Sequence, residues 1–174
     1  MKVKDNGKLM VSYCFQRILL IFTYRSLFIL GVMPPDEYQE NINNSIFTNL
    51  VANYAVNTAR WISCLAGKGN SQTRLYEYRR IWQPILTENQ VPDDWLEKMK
   101  NLVFTYNEES RNHEEYEGFV FDSDKKVKQA DVVLLNYPLN WKMPADVLFN
   151  DLLFYEEVTD DNGPAMTWSI FAIK

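Results

Sequence analysis

This chain of 174 residues is poor in the side chains that bind metals and form cross-links. It has two cysteines, Cys14 and Cys64, and one histidine, His113. Two cysteines do not make a disulfide framework, and with a single histidine they supply no Cys/His zinc site. No Ser/His/Asp or Cys/His nucleophile set assembles around one histidine. Glycine numbers only six, and "GKGNS" at Gly67 lacks the Walker spacing, so no phosphate-cradling loop is expected. There is no basic block: 18 Lys and Arg stand against 23 Asp and Glu, a net charge of -5. That balance offers no electrostatic footprint for DNA or RNA. The longest unbroken apolar run, residues 18–24, falls far short of the ~20 residues a membrane span needs. The acidic turn near residue 160 lacks EF-hand spacing, so neither a metal nor a cofactor is implied.

Apolar and aromatic residues are plentiful. The chain is 47% hydrophobic, with 5 Trp, 10 Tyr and 10 Phe, too apolar for a disordered segment. Its length suits one domain with a real core. Cys14 and Cys64 read as small buried apolar residues. In the head, Lys2, Lys4 and Lys8 precede the apolar stretch, yet Arg17 abuts it, Arg25 interrupts it, and no small-residue cleavage site follows. Residues 18–24 therefore read as a buried strand or helix. His113 lies among Glu114, Glu115 and Glu117 and reads as surface decoration.

Helical spacing dominates from residue 43 onward. Ile46, Phe47, Leu50, Val51, Tyr54, Ala55, Ile62 and Leu65 form one apolar stripe, predicting a helix over 43–66. Asn43, Asn44 or Ser45 can cap it, since a short polar side chain accepts the free N–H groups there. Further helices are expected over 92–104, 127–136, 144–158 and 164–173, and a short one within 70–89, broken near Pro84. Residues 105–126 read as a loop. No hairpin signal or strong alternation stands out beyond the head. The pattern predicts an all-α fold of antiparallel helices.

Two stretches could carry chemistry. In "GVMPPDEYQENINNSIFTN", Asp36 and Glu37 sit on a loop stiffened by Pro34 and Pro35. A carboxylate shielded there by the prolines and Tyr38 would hold its proton near neutrality, as a general acid must. The local pattern alone favours a plainer reading, acidic residues placed at a helix N-terminus. In "VKQADVVLLNYPL", Lys128 and Gln129 can donate several hydrogen bonds to ligand hydroxyls. Lys128, Gln129 and Asp131 equally suit an ordinary helix start.

Together with "FYEEVTDDNGPAMTWSIFAI", and in this order, these stretches resemble glycoside hydrolase family 65, in its hydrolytic branch of collagen-type glucosidases and acid trehalases. The resemblance covers residues 31–174 and is weakest between 70 and 121. It implies part of an (α/α)6 barrel of the six-hairpin glycosidase type, with residues 1–30 as a leader outside the match. It implies Glu37 as general acid and Lys128 and Gln129 as substrate-binding residues. The partner implied is a carbohydrate with a terminal α-linked glucose, the collagen glucosyl-galactosyl-hydroxylysine unit first and trehalose second. A catalytically dead carbohydrate-binding protein could use the same surface. The family's serine-rich phosphate-binding segment is missing, which favours hydrolysis over phosphorolysis. Gln39 stands where the family often has His. The general base of this inverting branch is expected beyond residue 174, leaving this chain as a fragment that lacks the remainder of the catalytic domain.

Overall fold

A computed structural model describes residues 2–5, 8–14, 17–22, 26–68, 80–81, 92, 94–120, 126–163 and 166–172. The chain divides into two compact units, one of residues 1–50 and 103–174, the other of residues 51–102.

In the first unit the chain begins with an antiparallel meander of β1 (Lys2–Asp5), β2 (Lys8–Cys14), β3 (Arg17–Phe22) and β4 (Leu27–Leu30). The register pairs Leu19 with Leu30 and Phe22 with Leu27. The all-α expectation misses this sheet. Each run here is four to seven residues long. Such runs are too short for a stable helix, and their backbone groups are satisfied by neighbouring strands instead. β4 alternates, with Leu27 and Ile29 buried. Gly31 follows with φ +66, a conformation that strains residues bearing a Cβ. Asn41 and Asn44 also adopt positive φ, which asparagine tolerates better than most residues.

The loop then doubles back. Val32 and Ile42 exchange backbone hydrogen bonds of 2.9 and 3.0 Å, and the Asn44 carboxamide oxygen accepts the Ile29 N–H. The loop between Val32 and Ile42 is thereby pinned at its base. Helix α1 (Ile46–Lys68) starts at residue 46, where the Ser45 hydroxyl accepts the Thr48 N–H at 3.2 Å. Ser45 is thus the cap among the three candidates.

The second unit holds the rest of α1 and a short α2 (Trp95–Lys100). Val56, Met99 and Leu102 are buried among its described residues, and Asn53 donates to the Met99 carbonyl. Cys64 is exposed here, against the expectation of burial, because it falls off the apolar stripe of α1. The side chain of Cys14 lies outside the described residues, as does most of the helix expected within 70–89.

Back in the first unit, residues 105–126 are not simply a loop. They carry a two-stranded hairpin of β5 (Tyr106–Asn107) and β6 (Asn112–His113). The Asn107 side chain accepts the Glu109 and Ser110 N–H groups and shapes its turn. Three helices follow: α3 (Asp131–Asn136), α4 (Ala145–Val158) and α5 (Trp168–Phe171). Each starts later than its apolar pattern does. Val132, Val133 and Leu135 of α3 and Val147, Tyr155 and Val158 of α4 are buried. The end of α4 is clipped to residue 127, whose N–H donates to the Val158 carbonyl at 3.0 Å and whose carbonyl accepts the Asp160 N–H at 2.9 Å. From residue 46 on the elements are mainly helical. No helix among the described residues is long and apolar enough to cross a membrane.

Candidate functional site

The pinned loop places Asp36 and Glu37 in opposite environments. A turn at residues 36–39 is closed by Gln39 N–H donating to the Asp36 carbonyl at 3.1 Å. The Asp36 carboxylate accepts the Tyr38 N–H at 3.0 Å, the local bond that aspartate makes readily in turns. Asp36 is fully buried, while the Glu37 side chain is 63% exposed. The shielding anticipated for Glu37 therefore falls on its neighbour. Neither residue decorates the start of α1, which lies nine positions beyond Glu37 with its own serine cap.

Lys128 and Gln129 lie just ahead of α3 rather than within it. The backbone N–H of Lys128 points at the Asp36 carboxylate, 3.3 Å from each oxygen. Its ammonium forms an ion pair with the Glu37 carboxylate. The fold thus brings Glu37 and Lys128 into contact, while Gln129, next to Lys128 in the chain, is buried. Tyr38 reaches the third stretch, its hydroxyl donating to the Asp160 carboxylate at 3.3 Å. In that stretch Gly163 packs closely: a Cβ there would stand 3.1 Å from the Asp160 carbonyl oxygen, tighter than most side-chain contacts.

Beneath this surface lies a group of buried carboxylates that sequence reasoning missed. Asp131 accepts the Asp36 N–H at 3.2 Å and donates its own N–H to Glu115 at 3.0 Å. Burial holds the Asp131 carboxyl well above the usual carboxylate range. The Asp36 N–H opposes that rise, the Asp36 charge adds to it, and the Gln129 hydrogen bond opposes it again. Glu115 is buried as well. Asp36 was at least inside a recognisable motif. Glu115 had no signal, because it sits in a run of similar glutamates whose sequence does not distinguish the one that turns inward.

His113 corrects another expectation. It is buried, and the Asp151 carboxylate of α4 accepts its backbone N–H and meets its Nδ1, both at 2.7 Å. Its ring lies 5.2 Å from Tyr106 and 5.2 Å from Trp141. The Tyr155 hydroxyl donates to the His113 carbonyl at 2.9 Å. Burial, then the charges of Glu115 and Asp151, push the Tyr155 phenol well above its usual range, so it serves as a donor. Among the described residues no group of acidic, His and Cys side chains is arranged to hold a metal ion.

Comparison with known proteins gives four findings. The family described as "Glycosyl hydrolase family 65 central catalytic domain" matches residues 23–173. Protein-glucosylgalactosylhydroxylysine glucosidase of Gallus gallus is 39% identical over 145 residues, which cover 83% of this chain and 17% of that one. The periplasmic/secreted acid trehalase of Candida glabrata is 29% identical over 140 residues, covering 79% of this chain and 10% of its own. A solved chain from the human microbiome, named as a kojibiose phosphorylase, superposes with a TM-score of 0.61 at 19% identity, covering 86% of this chain and 23% of that chain. At that identity the likeness concerns the fold. The chain spans about a sixth of the length of the glucosidase it matches.

Proposed function

The chain belongs to glycosyl hydrolase family 65, and from that premise we propose that it carries the acid half of an inverting α-glucosidase site. The observation that supports this reading is the ion pair between Glu37 and Lys128, with Gln129 next to it in the chain. Glu37 is the general acid that protonates the glycosidic oxygen as the bond to glucose breaks. Lys128 and Gln129 hold hydroxyls of the terminal glucose. A hydroxyl that accepts from the Lys128 ammonium draws it away from Glu37; without that cation beside it the carboxylate takes up from water the proton it then gives to the glycosidic oxygen.

Inversion needs a second carboxylate ~6.5–9.5 Å from the first, with a water between them. Asp36 and Glu115 already accept backbone N–H groups, and burial favours the protonated form of Asp131. As the resemblance to the family implies, the base is a carboxylate of another part of the catalytic domain, within its (α/α)6 barrel. The preferred substrate is the glucosyl-galactosyl-hydroxylysine unit of collagen. The identity of 39% to the glucosidase, against 29% to the trehalase, supports that order.

The purified 174-residue chain should release little or no glucose from glucosyl-galactosyl-hydroxylysine. Joined to the rest of a family catalytic domain, it should turn that substrate over faster than trehalose. Glu37→Gln should then lower kcat by roughly a hundredfold or more while sugar binding persists. Robust glucose release by the isolated chain, or unchanged turnover with Glu37→Gln, would refute the assignment.

A further inference from the structure

Glu37 and Lys128 are 91 positions apart in sequence, and both carry long, mobile side chains. Glu37 is exposed and Lys128 half-buried, and long chains of that kind lose side-chain freedom when they pair, so the ion pair alone holds its geometry weakly. Here the two backbones are fixed first. The Asp36 carboxylate, fully buried, accepts the N–H of Lys128 through both oxygens and the N–H of Tyr38 through one. Glu37 is the residue between Asp36 and Tyr38, so its backbone is held on both sides. Asp36 is itself anchored, since its N–H donates to Asp131, whose N–H donates to Glu115. Hydrogen bonds to a charged acceptor are about twice as strong as neutral ones, and this acceptor is shielded from water.

We propose that Asp36 is the positioning residue of the site: its carboxylate ties the backbone of Lys128 to the turn bearing Glu37 and so sets the Glu37–Lys128 pair. Asp36 never meets the sugar. It fixes where the acid stands relative to the residue that grips the glucose, a distance that controls proton transfer. The proposal rests on the glucosidase reading for its purpose, but the clamp itself is measurable without a sugar.

The test uses nuclear magnetic resonance on the 174-residue chain, unmutated and with Asp36→Asn or Glu37→Gln. In the unmutated chain the Lys128 amide should be protected from hydrogen exchange. Asp36→Asn should speed its exchange by roughly tenfold or more, while amides in the middle of α4 keep their protection. The Lys128 Nζ resonance should move in Asp36→Asn as it does in Glu37→Gln, because both variants lose the pair. Glu37→Gln should leave the Lys128 amide protected. A Lys128 amide that is unprotected in the unmutated chain overturns the proposal without any substitution, whether or not Asp36→Asn folds. An Nζ resonance unmoved by Asp36→Asn overturns it too. A p-nitrophenyl α-glucoside is then added to the unmutated chain joined to the rest of a family catalytic domain. If the pair depends on Asp36 yet the glucoside disturbs neither Lys128 nor Gln129, the clamp is supported and the glucosidase reading fails.

Discussion

Asp131 is a carboxyl group placed where its charge is disfavoured. Burial is the largest cause, and the neighbouring Asp36 charge adds to it against the hydrogen bonds from Asp36 and Gln129. Its folded-state pKa thus lies above the ordinary value of about 3.9. Between those two values the native chain keeps a proton that the unfolded chain has released. Stability therefore falls as pH rises through that window, and the full contribution of Asp131 is present only below it. Asp131→Asn cannot ionise and should lack this fall. Urea midpoints measured from pH 4 to pH 8 should decline for the native chain relative to the variant, whereas parallel curves would contradict the assignment. Asp151 makes the opposite kind of contact, a carboxylate accepting two hydrogen bonds from His113. Asp151→Ala leaves a buried N–H and a buried ring nitrogen without that acceptor. A loss of about 3 kcal/mol is expected by urea unfolding, and a loss below about 1 kcal/mol would show the pair to be dispensable. His113 also shows why the sequence misleads at this scale. Its four flanking residues are mainly polar, and what buries it is an aspartate on a helix 38 positions away.

The elements were legible where periodicity is long and illegible where it is short. Helix α1 follows a stripe sustained over six turns, and its polar start narrows to three caps that only coordinates distinguish. Ser45→Ala should cost about 1 kcal/mol, because the Thr48 N–H loses its acceptor. Denaturant titration of the first unit's aromatic fluorescence would measure it, and no change would mean that water replaces the hydroxyl fully. Helices α3 and α4 were located to within a few residues, with Pro138 and Pro144 marking the connection between them. The strands were harder to see. β5 and β6 have two residues each, too few for any alternation to register. In the meander, β2, β3 and β4 are short runs whose apolar content fits a buried helix as well as a strand, and β1 has a single apolar residue. The candidate site was legible in its motif residues Glu37, Lys128 and Gln129. It was not legible in the clamp role of Asp36, which depends on pairings across 92 and 95 positions, or in Glu115, whose partner Asp131 lies 16 positions on, beyond any helical spacing.

At the scale of the molecule, α4 leaves an apolar surface open among the described residues. Helix α4 buries Val147, Asp151, Tyr155 and Val158 on one side. Its other side presents Leu148, Phe149, Leu152 and Leu153, which with Ala145, Glu156 and Phe171 of α5 line an open apolar groove of about 380 Å³. Phe149 is 59% exposed and Leu153 is 52% exposed. A helix apolar on both sides is usually covered on both. Burying these two side chains would contribute about 1.5–3 kcal/mol each, which is enough to drive association between copies when nothing else covers the groove. The purified chain is therefore expected to self-associate at micromolar concentration in sedimentation velocity. Phe149→Ser with Leu153→Ser should shift it towards monomer, with little loss of stability because neither side chain is in the core. Addition of salt separates this from charge-driven association: an apolar contact should persist or strengthen, while an electrostatic one should weaken. A chain that stays monomeric before substitution, or a doubly substituted chain that associates as strongly as the original, would place the sticky surface elsewhere.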